Sequence, residues 1–317
     1  MEKTAKIYVA GHTGMVGSAI YRELKKQGYT NICVKTHEEL DLRNQQSTEA
    51  FFESERPEYV FMAAATVGGV YINDVQPGRF IYDNLAIAVN TIHTAYKYNV
   101  KKLLYMGSGC IYPKITDRAI SEADLLSSTL EKTNEAYAVA KIAGIKLCEY
   151  YNKQYKTNFI SCMPCNAYGP GDHYDLECSH VVPALIRKAY EAKNMGKESI
   201  VMWGTGTPKR EFIYIDDIAN ACVFLMNHYD GDECLNVGTG SEITIEELTK
   251  LVCDVVGYKG EIVKDLSKPD GTPRKLLDSA KIFQLGWRPQ VDFKEGMKRT
   301  YLDFLGNEKN YLGEKKS

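Results

Sequence analysis

Tyr137 and Lys141 stand four residues apart in Asn-Glu-Ala-Tyr-Ala-Val-Ala-Lys, and Ser108 precedes them at the end of an apolar run. Four residues is about one helical turn, so the phenol and the ammonium project from one face. An ammonium placed there lowers the pKa of a phenol whose free value is about 10. Such a phenol can exchange a proton with a carbonyl oxygen while a hydride moves to or from the carbon. Taken alone, Tyr-x-x-x-Lys also describes an ordinary exposed pair.

The N-terminus shifts that balance. Residues 5–10 read as a short buried strand, followed at once by Gly11-His-Thr-Gly14-Met-Val-Gly17 and a helical pattern from Met15 to Gln27. Glycines at these points permit a tight turn, let the backbone approach a pyrophosphate, and bring the helix close to the strand. The free N–H groups of the helix N-terminus then face the phosphates. A glycine trio after a strand also fits a plain β–α turn. Joined to Ser108, Tyr137 and Lys141, it points to a dinucleotide-dependent redox enzyme.

The elements that must position these residues follow from periodicity. Strand-like runs at 5–10, 31–35, 58–65, 102–107 and 158–163 alternate with helical patterns at 14–27, 44–55, 78–99 and 133–155. That alternation predicts an α/β fold, a Rossmann-type doubly wound parallel sheet covered on both faces. Its ligand belongs beyond the carboxyl ends of the strands, where Gly11 and Ser108 fall. After Pro164 the character changes. A turn-rich loop at 166–173 and an irregular stretch at 174–179 lead to a helix at 181–195 and strands at 199–203 and 211–215. A helix at 218–227 and a strand at 234–237, returning to the main sheet, come next, then helices at 244–257 and 293–305. The expected division is a cofactor domain of residues 1–170, with 213–239 returning to it, and a smaller α/β substrate lobe of 171–212 and 240–317. The polar last dozen residues are expected to fray.

Bulk properties exclude other classes. The chain has 317 residues and a net charge of −2, so phosphate neutralisation drives no nucleic-acid partnership. No apolar run reaches the length of a membrane span, and the N-terminus enters a strand directly, so a cytoplasmic protein with no membrane association is expected. Nine cysteines (33, 110, 148, 162, 165, 178, 222, 234 and 253) read mostly as small buried hydrophobes of a reducing compartment. Cys162-Met-Pro-Cys165 has the spacing of a metal or redox pair but lacks a second pair, and no metal is expected.

The chain resembles the extended short-chain dehydrogenases/reductases, and more narrowly the GDP-L-fucose synthase family. The resemblance rests on residues 11–17, Gly107-Ser-Gly-Cys-Ile-Tyr-Pro113 and Tyr137-Ala-Val-Ala-Lys-Ile-Ala-Gly-Ile-Lys-Leu-Cys148. Asn166-Ala-Tyr-Gly-Pro170, Ser179-His-Val-Val-Pro183, Trp203-Gly-Thr-Gly-Thr-Pro208 and residues 268–275 extend it over nearly the whole length. It implies NADPH-dependent reduction at C4 of a GDP-4-keto sugar, with epimerisation at C3 and C5. Ser108, Tyr137 and Lys141 would be the reductase set, and Cys110 and His180 the epimerase acid and base. A C4 ketone acidifies the hydrogens on C3 and C5, and thiol and imidazole suit that exchange near neutral pH. The resemblance gives Gly11, Thr13, Gly14, Met15, Val16 and Gly17 to the cofactor, with Asp41 and Leu42 at its adenine and Pro164, Asn166 and His180 farther along. It gives Lys188, Trp203, Arg210, Asp270 and Lys275 to the substrate. The apolar stripes of helices 78–99 and 133–155 suit a homodimer or, more simply, packing on their own sheet.

Lys35 and His37 occupy the end of the second strand, where an acid would bind a ribose 2′-hydroxyl, so a 2′-phosphate is favoured. Several positions depart from the family. Thr13 stands in place of Arg, Gly109 precedes the cysteine, Cys165 and Ala167 replace a Thr and a larger aliphatic, and His173 replaces an Asn. A smaller wall at Ala167 would admit a bulkier sugar. Two alternatives therefore remain. One is a C4-reductase of a GDP-4-keto-heptose epimerised elsewhere. The other is a non-catalytic NADP-binding regulator, against which the intact Ser108, Tyr137 and Lys141 count.

Overall fold

Strands covered by helices on both faces have no solvent side, and their sequences run apolar without alternation. The first strands show this. β1 (Ile7–Ala10) is buried at every position; β2 (Ile32–Cys33), β3 (Tyr59–Met62), β4 (Lys102–Met106) and β5 (Phe159–Pro164) lie parallel in the same sheet. The computed structural model describes residues 1–115, 117–176, 179–268 and 270–313; Cys178 and part of the 174–179 stretch lie outside them. Successive side chains of a strand point to opposite faces, and the core divides accordingly. Ile7, Val9, Phe61 and Leu104 pack on one side with α1 (Met15–Lys26). Tyr8, Val60, Leu103 and Tyr105 pack on the other, with α2 (Gln45–Glu55), α4 (Pro77–Lys97) and α5 (Glu135–Tyr155). A short α3 (Val70–Val75) precedes α4.

The chain then leaves and re-enters this sheet. β6 (Asn166–Tyr168), α6 (Val181–Asn194), β7 (Ser199–Trp203), β8 (Lys209–Arg210) and β9 (Phe212–Tyr214) lead into α7 (Ile215–His228). α7 lies against α1, and β10 (Leu235–Val237) adds to β5, giving the order β10-β5-β4-β3-β1-β2. The Lys102 ammonium ties the two excursions together by donating to Leu225 O, Tyr229 O and the Asp230 carboxylate at the end of α7. A cation there also meets the negative end of the helix dipole.

The remaining elements are β11 (Ile243–Thr244), α8 (Ile245–Val256), β12 (Glu261–Asp265), β13 (Arg274–Lys275), α9 (Ala280–Gln284), α10 (Phe293–Gly306) and α11 (Glu308–Tyr311). Leu185 and Ile186 of α6, Leu248 and Val252 of α8, and Met297 and Phe304 of α10 make a third core. β12 pairs with β7, and β8 lies between β11 and β13. β7 matches the strand expected at 199–203, whereas β8, β11, β12 and β13 are short or rich in charged residues, so periodicity did not reveal them. The tail also differs from expectation. Tyr311 stacks near Phe304 and donates to Asp303 at 2.7 Å, so residues 308–311 are helical and held. Among the described residues no helix is long and apolar enough to cross a membrane.

One buried acid fixes how these excursions meet. Glu211, between β8 and β9, is fully buried and accepts from Thr239 N at 2.7 Å, Gly240 N at 2.8 Å and Leu277 N at 2.9 Å. A Cβ at Gly238 would fall 2.4 Å from its Oε1, so glycine is required for the approach. Glu211→Ala strands these N–H groups and should cost about 3–5 kcal/mol of stability, the range for removing one partner of a buried charged network. Urea unfolding of the variant measures it. A loss under about 1 kcal/mol would mean water replaces the carboxylate freely.

Candidate functional site

At the carboxyl end of β1, the turn that follows makes a cradle. Gly11 has φ +80, and a Cβ there would sit 2.7 Å from Ala64; a Cβ at Gly17 would meet Gly11 O at 2.1 Å. At Gly14 it would meet nothing nearer than 3.5 Å, so that side is open. Gly14 caps α1 without a side chain, and no acid occupies the first turn. Free N–H groups and the positive end of the helix dipole thus face the opening, which suits a pyrophosphate. The buried His12 Nδ1 beside it has no protein partner. The residues fit a dinucleotide.

Beyond β2 the charges are denser than the sequence suggested. Lys35 pairs with Glu39 at 3.5 Å, and His37 lies 3.9 Å from Asp41. Arg43 joins them, contacting Asp41 at 2.9 Å, Asp83 at 3.1 Å and the His37 ring at 3.3 Å. Sequence reasoning missed Arg43, because its placement depends on Asp83 from α4. Leu42 is buried in the core, and its carbonyl accepts from Asn90.

Ser108, Cys110, Tyr137 and Lys141 converge where β4 ends and α5 begins. Ser108 caps a 3-10 turn over Gly109–Ile111 by accepting from Cys110 N at 3.2 Å. Its hydroxyl also hydrogen-bonds the Tyr137 side chain. Burial, and then the nearby Cys110, push the Tyr137 phenol well above its ordinary range, and the Ser108 bond only partly offsets this. Lys141 does not draw the phenol down as the spacing predicted. Its ammonium is buried, donates to Met106 O at 2.8 Å and lies 5.8 Å from the Tyr137 ring centre. Burial lowers its own pKa to about 8.

Cys110 behaves differently. Burial pushes its thiol up, but the Lys275 ammonium 3.6 Å away and the Ser108 hydroxyl together bring it below its usual value. Cys110 shares a small cavity with Ser108, Gly109, Pro164, Cys165, Asn166 and Lys275. Lys275, expected on the substrate, is thus also a thiol neighbour. Asn166 donates to Glu211 O at 2.7 Å. Ala167 is half-buried and packs against the core shared with α1 and α7, and it does not line this cavity. Cys162 is buried, with sulfur contacts to Met106.

His180 is the N-cap residue of α6 and is exposed to solvent. Desolvation, with the neighbouring His173, lowers its pKa below the ordinary 6.5. The groups acting on the Cys110 thiol do not include it. Farther out, Trp203 is 59% exposed, with the Lys188 and Lys268 ammonium groups 4.9 Å and 5.3 Å from its ring centre. Arg210 donates to Thr272 O, and burial lowers its pKa. Asp270 accepts from Thr205 N at 2.9 Å and Thr205 Oγ1 at 2.7 Å. Lys268 was not singled out from the sequence, since only the fold brings it over the ring.

With this geometry in place, comparison with known proteins is decisive. A family model, the NAD dependent epimerase/dehydratase family, matches residues 7–238. The chain belongs to this family. Within it the chain is 54% identical to GDP-L-fucose synthase 1 of Arabidopsis thaliana, over 96% of this chain and 95% of that protein. It is 47% identical to GDP-L-fucose synthase of Escherichia coli (strain K12), over 97% and 99%. A solved GDP-mannoheptose C4 reductase from Campylobacter jejuni with NADP bound is 39% identical, covers 96% of this chain and 99% of its own, and has a TM-score of 0.88.

One family loop carries a strained acid. Asp172, in the turn after Gly171, is 6% exposed; one oxygen accepts from His173 N at 2.8 Å and the other has no partner. Burial raises its pKa from 3.8 to about 7. A raised folded pKa favours folding below about pH 4, and that contribution is lost as pH rises through about 7. Asp172→Asn should therefore match the parent at pH 4 and be more stable at pH 8, by at most about 4 kcal/mol. Urea midpoints at the two pH values check this, and equal gains at both would contradict it.

Proposed function

We propose that the chain carries out the GDP-L-fucose synthase reaction: NADPH-dependent reduction of the C4 ketone of a GDP-4-keto sugar, with epimerisation at C3 and C5. The observation that carries it is the convergence of Ser108, Tyr137 and Cys110 beside the glycine cradle. NADPH, when bound, supplies the hydride. Gly11, Thr13, Gly14, Met15, Val16 and Gly17 would hold its pyrophosphate, and Lys35, His37 and Arg43 its 2′-phosphate, with Asp41 and Leu42 near the adenine. Pro164, Asn166, His180 and Lys141 would complete the cofactor contacts.

The phenol's raised pKa keeps Tyr137 protonated at neutral pH, which is the form that donates a proton to the C4 oxygen. Ser108 hydrogen-bonds the same oxygen as alkoxide charge develops there. Lys141 then offsets the charge left on the phenol. Cys110 is the base at C3 and C5, and His180 exchanges the proton on the other face. At the nucleotide end, Trp203 offers an exposed stacking plane with Lys188 and Lys268 over its ring, and these two with Arg210 would be the counter-charges to a pyrophosphate. Asp270 keeps that loop in shape through Thr205.

Several coarser features complete the reading. Tyr82, Val89, Val139 and Tyr150 are exposed on α4 and α5, and we assign this face to a homodimer. The division into residues 1–170 with 213–239, and 171–212 with 240–317, would place the cofactor and the nucleotide-sugar in separate lobes. The eight described cysteines are free, in keeping with a reducing, cytoplasmic setting.

Following NADPH oxidation with GDP-4-keto-6-deoxymannose tests the reading. Tyr137→Phe should still bind NADPH but lose roughly two to four orders of magnitude in turnover, the size of an acid–base contribution. Near-parent turnover would remove Tyr137 from the reaction. Stronger kcat/KM on a GDP-4-keto-heptose would replace the 6-deoxyhexose with the bulkier sugar.

A further inference from the structure

Lys275 reaches Cys110 from the far end of the sequence, and its backbone is pinned on both sides. It pairs with Arg210 in the β13–β8 register, while Leu277, two residues on, donates to buried Glu211 and bridges to Ile120. Its Nζ lies 3.6 Å from Cys110 Sγ. Gly109 lies directly beside this approach, where a Cβ would be in ordinary contact with Lys275 Cε at 3.7 Å and tight against Pro164 O at 3.3 Å. Among the described residues no carboxylate pairs with Lys275. The other groups facing the thiol are the Ser108 hydroxyl, the Tyr137 phenol and Cys165, none of them cationic. Lys275 is therefore the one positive charge on the thiol among the described residues.

We propose that Lys275 is a positioning residue that acts through Cys110, its ammonium holding the side chain as a thiolate ready to take a proton beside the substrate's ketone. This rests on the epimerase reading above. The thiolate takes the hydrogen from C3 or C5 as a proton. The electron pair of that C–H bond moves into an enolate whose charge lies on the C4 oxygen, and Lys275 keeps its own protons throughout. The resting charge at Cys110 (shifted down by Lys275 and Ser108 against the burial that pushes it up) then depends on the 274–277 segment being docked. A free thiol at its ordinary pKa of about 8.5 would be only a minor fraction ionised at pH 7.

The test starts with the free enzyme, without substrate or cofactor. Iodoacetamide labelling of Cys110, read by peptide mass spectrometry across pH, should show a midpoint below that of an ordinary thiol. Lys275→Met should raise the midpoint by about one pH unit or more, as expected for removing an opposite charge within 4–6 Å. Lys275→Arg should restore it in part, which a merely structural role would not do. In D2O, with GDP-4-keto-6-deoxymannose and oxidised cofactor, Lys275→Met should lose deuterium entry at C3 and C5 by a larger factor than it loses C4 reduction, which is measured separately with NADPH as the hydride donor. An unchanged labelling midpoint in Lys275→Met overturns the proposal, and so does a raised KM for the GDP-sugar with that midpoint unchanged, which would make Lys275 a phosphate contact. A shifted midpoint in a parent enzyme that incorporates no deuterium would uphold the charge pairing and overturn the epimerase reading beneath it.

Discussion

A carboxylate withdrawn from water is costly unless several donors meet it, and Glu211 is where this chain meets that requirement with backbone. Its oxygens gather N–H groups from the end of β10 and from the segment after β13. Those two stretches are more than thirty residues apart in sequence, and neither has a long strand or helix of its own to fix it. The carboxylate thus sets the distance between the six-stranded sheet and the strip that bears Asp270 and Lys275. Asn166 closes the same knot by donating to the Glu211 carbonyl. Moving this one residue would move both the turn below Cys110 and the cation above it.

The site shows burial and charge acting in opposite senses on neighbouring groups. Tyr137 is pushed toward its neutral form by desolvation, while Cys110, close by, is drawn toward its anion by an ammonium. Two acidic groups driven apart in this way can take different parts in one reaction, one giving a proton and one receiving it. Lys141 has a quieter part than the helical spacing implied. Bound to the Met106 carbonyl, it is fixed beneath the phenol as a partner for charge that forms there, not as a source of ionisation at rest.

The nucleotide end follows another principle. A large aromatic ring left 59% exposed beside two ammonium groups is a poor core residue and a good stacking surface. Around it the geometry is held by polar contacts from the backbone and hydroxyls, as in Asp270 with Thr205 and Arg210 with Thr272. The Trp203 surface and the Cys110 cavity are thus built by different sets of elements.

Much of this was written locally. Glycines 11, 14 and 17, the four-residue step from Tyr137 to Lys141 and the unbroken apolar runs each report a backbone or packing demand satisfied within one element, so sequence alone determined the parallel α/β sheet, the tight glycine turn after β1 and the meeting of Tyr137 and Lys141 on one helix. Tertiary structure decided what depends on distant segments. Arg43 owes its place to Asp83 across α4, and Lys268 lies over Trp203 only through loop packing. Cys110 is the clearest case. Its place after Ser108 is in the sequence, but its pKa is drawn down in part by Lys275, 165 positions away, because an electrostatic shift depends on distance in space and not on distance along the chain.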